Sequence, residues 1–266
     1  MVRKQYAAFV RDLRDGFRTF RYTVSPDFVR WSTPAWPDFG AAPAAHLYTS
    51  AAVPYFRAPH LFLAFPMRFV PDRKKDPDYL VSVLSDGLLM SSRDGVHWQR
   101  WAEAFLVPGP DPDNWSERSM MIARGLVRVS PAEIALYWVE HYRRNSCRLR
   151  RGTIRTDGFA SLRADAPGGE MLTRPFKFSG TRLVVNYRTS AAGTILFELC
   201  DALGEPLPGL SLAESEILFG DEIAHEVKWN SAGPGAREGQ TVRLRIRLRE
   251  ADLYSLRFFR GGEMID

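Results

Sequence analysis

The segment Tyr137-Trp138-Val139-Glu140-His141-Tyr142 sets a carboxylate and an imidazole among large aromatic side chains. In an extended strand, alternation puts Glu140 and Tyr142 on one face and His141 on the other. A carboxyl desolvated by aromatic neighbours titrates high, which is what a general acid needs. The same Glu140 could instead pair with Arg143 or Arg144, and both readings stay open. Acid–base chemistry takes two such groups, one to give a proton and one to accept a proton or to attack. Asp12 is the candidate second catalytic carboxylate, and Asp86, just before Gly87, is a weaker partner that also suits a turn.

Other residues have the chemistry to hold a polyhydroxylated ligand. Tyr55-Phe56-Arg57-Ala58-Pro59-His60 offers Arg57 and His60 as donors to hydroxyls or to a uronate. The bland alternative is an arginine that fills a gap between sheets and a histidine bonded to a carbonyl. His141 is a further substrate-binding candidate. Trp115, after a proline-rich run, could stack on a sugar ring or cap a sheet. His46 and His97 have no partner at metal-ligand spacing, so no metal and no cofactor is expected.

The net charge is +5, carried mostly by arginine, but no recognised nucleic-acid reader accompanies it. In Arg243-Leu244-Arg245-Ile246-Arg247-Leu248-Arg249 the charges alternate with aliphatics, which reads as one buried and one solvated strand face. No apolar run approaches the ~18 residues of a membrane span. The opening residues lack the apolar core of a secretory signal, so a cytoplasmic location is the default unless the chain is N-terminally truncated. Cys147 and Cys200 are too few for a disulfide framework and are expected to be packed and reduced. Neither nucleic acid nor membrane is an expected partner, and self-association through exposed sheet edges is left open.

Strand signals dominate the elements that must position these groups. Tyr6–Val10 and Phe17–Val24 read as a hairpin, and Arg73–Leu84 is the one candidate helix. An Asp turn recurs before a large aromatic: Ser25-Pro26-Asp27-Phe28-Val29-Arg30-Trp31, then Ser92-Arg93-Asp94-Gly95-Val96-His97-Trp98, then a degenerate Arg155-Thr156-Asp157-Gly158-Phe159. Repetition of one supersecondary unit predicts propeller-like blades, with the three aspartates in structural roles. Beyond Ala166-Pro167-Gly168-Gly169 short alternating strands suit a jelly-roll-like β-sandwich. The expected fold is all-β, with partial (incomplete) β-propeller blades over residues 1–165 and a C-terminal sandwich over 166–266.

The string from Tyr55 to Pro66, with Met90 through Trp98, resembles bacterial five-bladed β-propeller proteins related to glycoside hydrolase families thirty-two and forty-three. Leu149 through Phe159 and Arg243 through Ser255 resemble the crossover and the C-terminal sandwich of the same group. The resemblance implies a carbohydrate-active protein that hydrolyses or binds a glycosidic substrate. Five blades would need roughly twice the length of residues 1–165, so the resemblance is to the C-terminal portion. The family thirty-two motifs Trp-Met-Asn-Asp-Pro-Asn-Gly and Glu-Cys are absent, and Arg11-Asp12-Leu13 only approaches Arg-Asp-Pro. A non-catalytic carbohydrate-binding or structural fragment is therefore the alternative.

Overall fold

A computed structural model describes residues 5–230 and 233–260. The fold is all-β. The chain divides into two compact units: residues 1–129 with 134–154, and residues 130–133 with 155–266.

In the first unit, β1 (Tyr6–Arg14) and β2 (Phe17–Ser25) form a hairpin through Asp15-Gly16. Both turn residues have positive φ, 50° and 80°, as a two-residue loop requires if it is to follow the strand twist. Tyr22 exchanges backbone bonds with Ala35, adding a third extended segment.

A second sheet contains β3 (His46–Tyr48), β4 (Val53–Tyr55), β5 (Ala58–Ala64), β6 (Met67–Pro71), β7 (Val83–Gly87), β8 (Met90–Ser92) and β9 (Trp98–Arg100). These form two hydrogen-bonded groups, β3-β6-β7 and β4-β5-β8-β9. Registers run on across the breaks, since Met67 faces Gly87 and Phe62 faces Ser92. The short strands are therefore interrupted stretches of one four-segment antiparallel meander. Residues 73–82, expected as a helix, form turns and bends instead. Asp76, Pro77 and Asp78 interrupt any helical hydrogen-bond ladder there, and Asp76 closes a local turn by accepting from Asp78 N.

A third sheet brings β10 (Met121–Ile122), β11 (Val127–Arg128) and β13 (Arg148–Arg155) onto β12 (Glu133–Glu140).

The two full Asp turns are built alike. Asp27 Oδ1 accepts Val29 N at 3.0 Å and Arg30 N at 2.8 Å, while Asp94 Oδ1 accepts Val96 N and His97 N at 2.8 Å. In each, the tryptophan indole N–H donates to a carbonyl of the turn, Phe28 O or Gly95 O. Gly95 has φ +83°, and a Cβ there would lie 2.7 Å from the Tyr22 ring, so the second turn needs glycine. Trp98 is buried edge-to-face against Phe9 and Phe20, both at 5.9 Å, which ties the first hairpin to the second sheet. Trp31, by contrast, is half exposed against Phe28. The third copy is not the same turn: Asp157 itself has φ 60° and accepts Ser255 Oγ at 2.6 Å.

In the second unit, β14 (Leu162–Ala164), β15 (Gly169–Leu172) and β16 (Phe176–Lys177) pair with the last strand. β17 (Arg182–Cys200), β18 (Asp221–Val227) and β19 (Thr241–Phe259) complete the unit. β17 and β19 are long because each bends and serves two faces of a sandwich. Their register shifts between Thr189 and Thr194, where Glu250 takes φ 44°. Before the bend Leu244, Ile246 and Leu248 point inward; after it Ala251 and Leu253 do, so the bulge swaps the buried parity. Leu183, Val185 and Tyr187 from one half of β17 share one core with Ile195, Phe197 and Leu199 from the other. The outward arginines form cross-strand pairs, Arg245 with Glu198 at 2.8 Å and Arg247 with Glu170 at 3.1 Å.

Candidate functional site

The polar groups of the first unit converge where the loop before β10 meets the loop between β12 and β13. The first loop contains Pro108, Pro110 and Pro112, whose nitrogens donate nothing, so side chains must hold it. Trp115 Nε1 donates to Gly109 O at 2.8 Å and Asn114 Nδ2 to Pro108 O at 3.2 Å. Asp111 Oδ1 accepts Asp113 N at 3.1 Å, capping a short turn over Pro112–Asn114. Trp115, half-buried, thereby fastens its own loop.

β12 ends at Glu140, and His141 has φ 55°, so strict alternation stops there. The expectation that Glu140 and His141 face opposite ways fails for that reason: both reach Arg148. Arg148 Nε donates to Glu140 Oε2 at 2.9 Å, and its Nη2 lies 3.3 Å from His141 Nε2. Glu140 Oε1 also accepts Arg150 Nε at 3.1 Å and Trp138 Nε1 at 3.2 Å. Burial pushes the Glu140 carboxyl up, but the bonds from Arg150 and Arg148 outweigh it and hold it below the usual range. Of the two readings left open, the geometry fits the arginine-paired carboxylate, with Arg148 and Arg150 in place of Arg143 or Arg144.

His141, 4% exposed, bonds Asp111 Oδ2 through Nε2 at 2.9 Å and Ser146 Oγ through Nδ1 at 2.9 Å. The His141 bond holds Asp111 below the ordinary carboxylate range as well. Asp111, Asp113 and His141 place their ligand atoms within 4.8 Å of one another. Arg148 Nη2 stands 3.5 Å from Asp111 Oδ2, and Arg144 Nε stands 3.2 Å from Asp113 Oδ1. Guanidinium charge therefore already neutralises the group that a metal ion would use.

Beside this lies a second set. Arg118 sits over the rings of Tyr48 at 5.4 Å and Tyr142 at 5.2 Å, and its Nη1 donates to Tyr142 Oη at 2.7 Å. Arg143 Nε lies 2.6 Å from the buried Glu117 Oε1 without hydrogen-bond alignment. Tyr79 Oη donates to Tyr142 O at 3.0 Å, and Ser85 Oγ to Ser119 O at 2.7 Å. Arg118, Met120, His141 and Arg143 all have positive φ, between 55° and 65°. Each such residue costs about 1–3 kcal/mol, and such strain gathers where a surface is held to a purpose.

Two sequence candidates, Glu140 and His141, thus meet at Arg148, while Trp115 fastens the loop whose Asn114 accepts His141 N. Asp86 is elsewhere, in a cross-strand pair with Arg68 whose Nε and Nη2 reach its two oxygens at 2.9 and 2.5 Å. Asp12 is on β1, paired with Arg21 and bonded to Leu13 N. Arg57 lies in the β4–β5 turn and His60 on β5, outside the set that bonds Glu140 and His141. Arg118, Tyr48, Asp111 and Arg148 were missed. Asp111 was visible as a polar residue among prolines, but the left-handed backbone that aims Arg118 leaves no sequence signal outside glycine.

No protein-family model matches the chain, and no curated protein matches it. Among solved structures, it is similar to the Bombyx mori GH32 beta-fructofuranosidase BmSUC1. The identity is 10% and the TM-score 0.31, over 97% of this chain and 90% of that one. An aspartate-to-alanine mutant of the same enzyme, in complex with sucrose, gives a TM-score of 0.33 at the same identity and coverage. At that identity the likeness reaches no residue of the cluster.

Proposed function

We propose that this chain is a carbohydrate-recognition protein that binds its ligand at the Arg118–Tyr48–Tyr142 surface without cleaving it. The observation that carries this reading is Arg118, held between two half-buried tyrosine rings with one N–H used by protein. A planar fork of donors beside aromatic faces matches sugar hydroxyls and the apolar C–H faces of a pyranose.

Hydrolysis is disfavoured by the carboxylates. Asp111 and Glu140 are both held below their ordinary values, so neither is set to protonate a leaving oxygen at neutral pH. A glycan-array screen of the purified chain, followed by calorimetry, tests the reading. Binding without turnover, weakened at least about tenfold in Arg118→Met, is the expected result. Hydrolysis of an aryl-glycoside that disappears in Glu140→Gln would replace it with the enzymatic reading.

A further inference from the structure

A cavity of about 350 Å³ opens in the first unit between the β1–β2 hairpin and β9. Phe17, Phe39, Pro43 and Leu47 give it apolar walls, and Thr19 and Arg100 are its polar lining; Arg14 and Asp15 stand on the exposed rim.

Arg100 is the anomaly. Alternation on β9 sends Trp98 and Arg100 inward and Gln99 outward, so Arg100 is only 6% exposed. Its Nη2 donates to Pro43 O, and its guanidinium stacks over Phe39 at 5.5 Å. Its Nε has no acceptor, nor has Thr19 Oγ1 a partner. Among the described residues no carboxylate forms an ion pair with Arg100, and the charge that acts on it, Arg68, has the same sign. An unpaired buried cation is costly, and protein arginines at such depth are normally met by an anion. The chain supplies the cation, the apolar walls and the space, and leaves out the counter-charge.

We infer that this cavity binds a small organic anion, a carboxylate on a short apolar body, with Arg100 as its anchor. The volume lies at the lower end for small-molecule sites, which limits the body to about the size of one ring. A carboxylate would accept the guanidinium N–H groups that the protein leaves unused, while the body lies against Phe17 and Phe39. This site shares no residue with the Arg118 cluster, so the two readings stand or fall separately.

The test measures thermal unfolding and calorimetric binding of the full chain with benzoate, its neutral isostere benzamide, and sulfate. A ligand of the native state alone raises Tm with the logarithm of its concentration. Benzoate should raise it, with benzamide and sulfate at least about tenfold weaker, and Arg100→Met should abolish the shift. Should Arg100→Met fail to fold, Ala42→Trp keeps the anchor and fills the space, and it too should lose benzoate binding. No benzoate shift up to about 50 mM, equal shifts by benzamide or sulfate, or undiminished binding in Ala42→Trp would each overturn the inference.

Discussion

His97 Nδ1 stands 2.6 Å from Asp94 Oδ2, within the same turn that Asp94 Oδ1 closes. The hydrogen bond and charge of Asp94 raise the His97 pKa above its ordinary value. Burial pushes Asp94 up, but the bonds from His97, Val96 and Ser92 prevail and bring it down to about 2. The raised imidazole contributes stability that is complete below its unfolded pKa and fades as pH rises through the folded one. The depressed carboxylate contributes above its unfolded pKa and fades as pH falls toward about 2. NMR titration of the His97 ring should give a midpoint above the ordinary imidazole value, returning toward it in Asp94→Asn. An unchanged midpoint in that variant would refute the pairing.

The likeness of the Asp27 and Asp94 turns ends at their tryptophans. Trp98 is 3% exposed in the aromatic core, whereas Trp31 is 37% exposed. Asp94→Ala should therefore cost about 1–2 kcal/mol, since it frees two backbone amides and loosens the seat of Trp98. Asp27→Ala should cost clearly less. Paired urea melts check the order, and a larger loss at Asp27 would contradict it.

Glu140 is predicted to be a structural anion. Glu140→Gln removes the charge that both Arg148 and Arg150 meet. The cost should be about 2 kcal/mol, less than for a fully buried pair because both guanidiniums reach solvent. Since its pKa is lowered in the fold, the contribution is present above the unfolded value and lost as pH falls through the folded one. A stability difference between wild type and variant that persists unchanged into strong acid would exclude this account.

The two thiols should separate cleanly. Burial, and then the Glu198 carboxylate beside it, push the Cys200 thiol up to about 11, while Cys147 is exposed. At pH 8 native alkylation should label Cys147 and leave Cys200 until the chain is unfolded. Mass mapping after a brief iodoacetamide pulse reads the outcome, and early labelling of Cys200 would refute it.

What the sequence shows is what repeats locally. The Asp turns at 27 and 94, the first hairpin and the Arg243–Arg249 alternation all follow from spacing, because each is set by neighbours along the chain. The hairpin turn read over Asp12–Gly16 nevertheless tightens to Asp15-Gly16, as β1 runs on to Arg14. Arg73–Leu84 looks helical only while its aspartates and Pro77 are ignored. The Glu140 environment could not be read from its own strand, because its partners Arg148 and Arg150 arrive on the next strand and reverse the titration expected from its aromatic neighbours. Arg118 and Arg100 leave no local signal either: one is aimed by a left-handed backbone, the other stranded by packing against the first hairpin.

Arg155 carries the last prediction, because it bonds in more directions than any substitute can. Its Nε donates to Asn186 Oδ1 at 2.6 Å, its Nη2 to Tyr187 O and Glu222 O at 2.8 Å, and its Nη1 pairs with Asp221. The guanidinium also lies 4.8 Å from the centroid of the Tyr254 ring. Asn186, 1% exposed, is bonded in turn to Thr156 O at 2.7 Å, so the head of the second unit hangs on one planar fork. Lysine offers a point charge that cannot span these acceptors, and it would leave the part-buried Tyr187 carbonyl and Asn186 Oδ1 unmet. Arg155→Lys should therefore destabilise the second unit by about 2–3 kcal/mol, despite keeping the charge. Amide exchange read by mass spectrometry should show faster opening of 182–189 and 221–227, with 194–200 less affected. Uniform protection across those segments would mean the fork holds nothing that packing does not already hold.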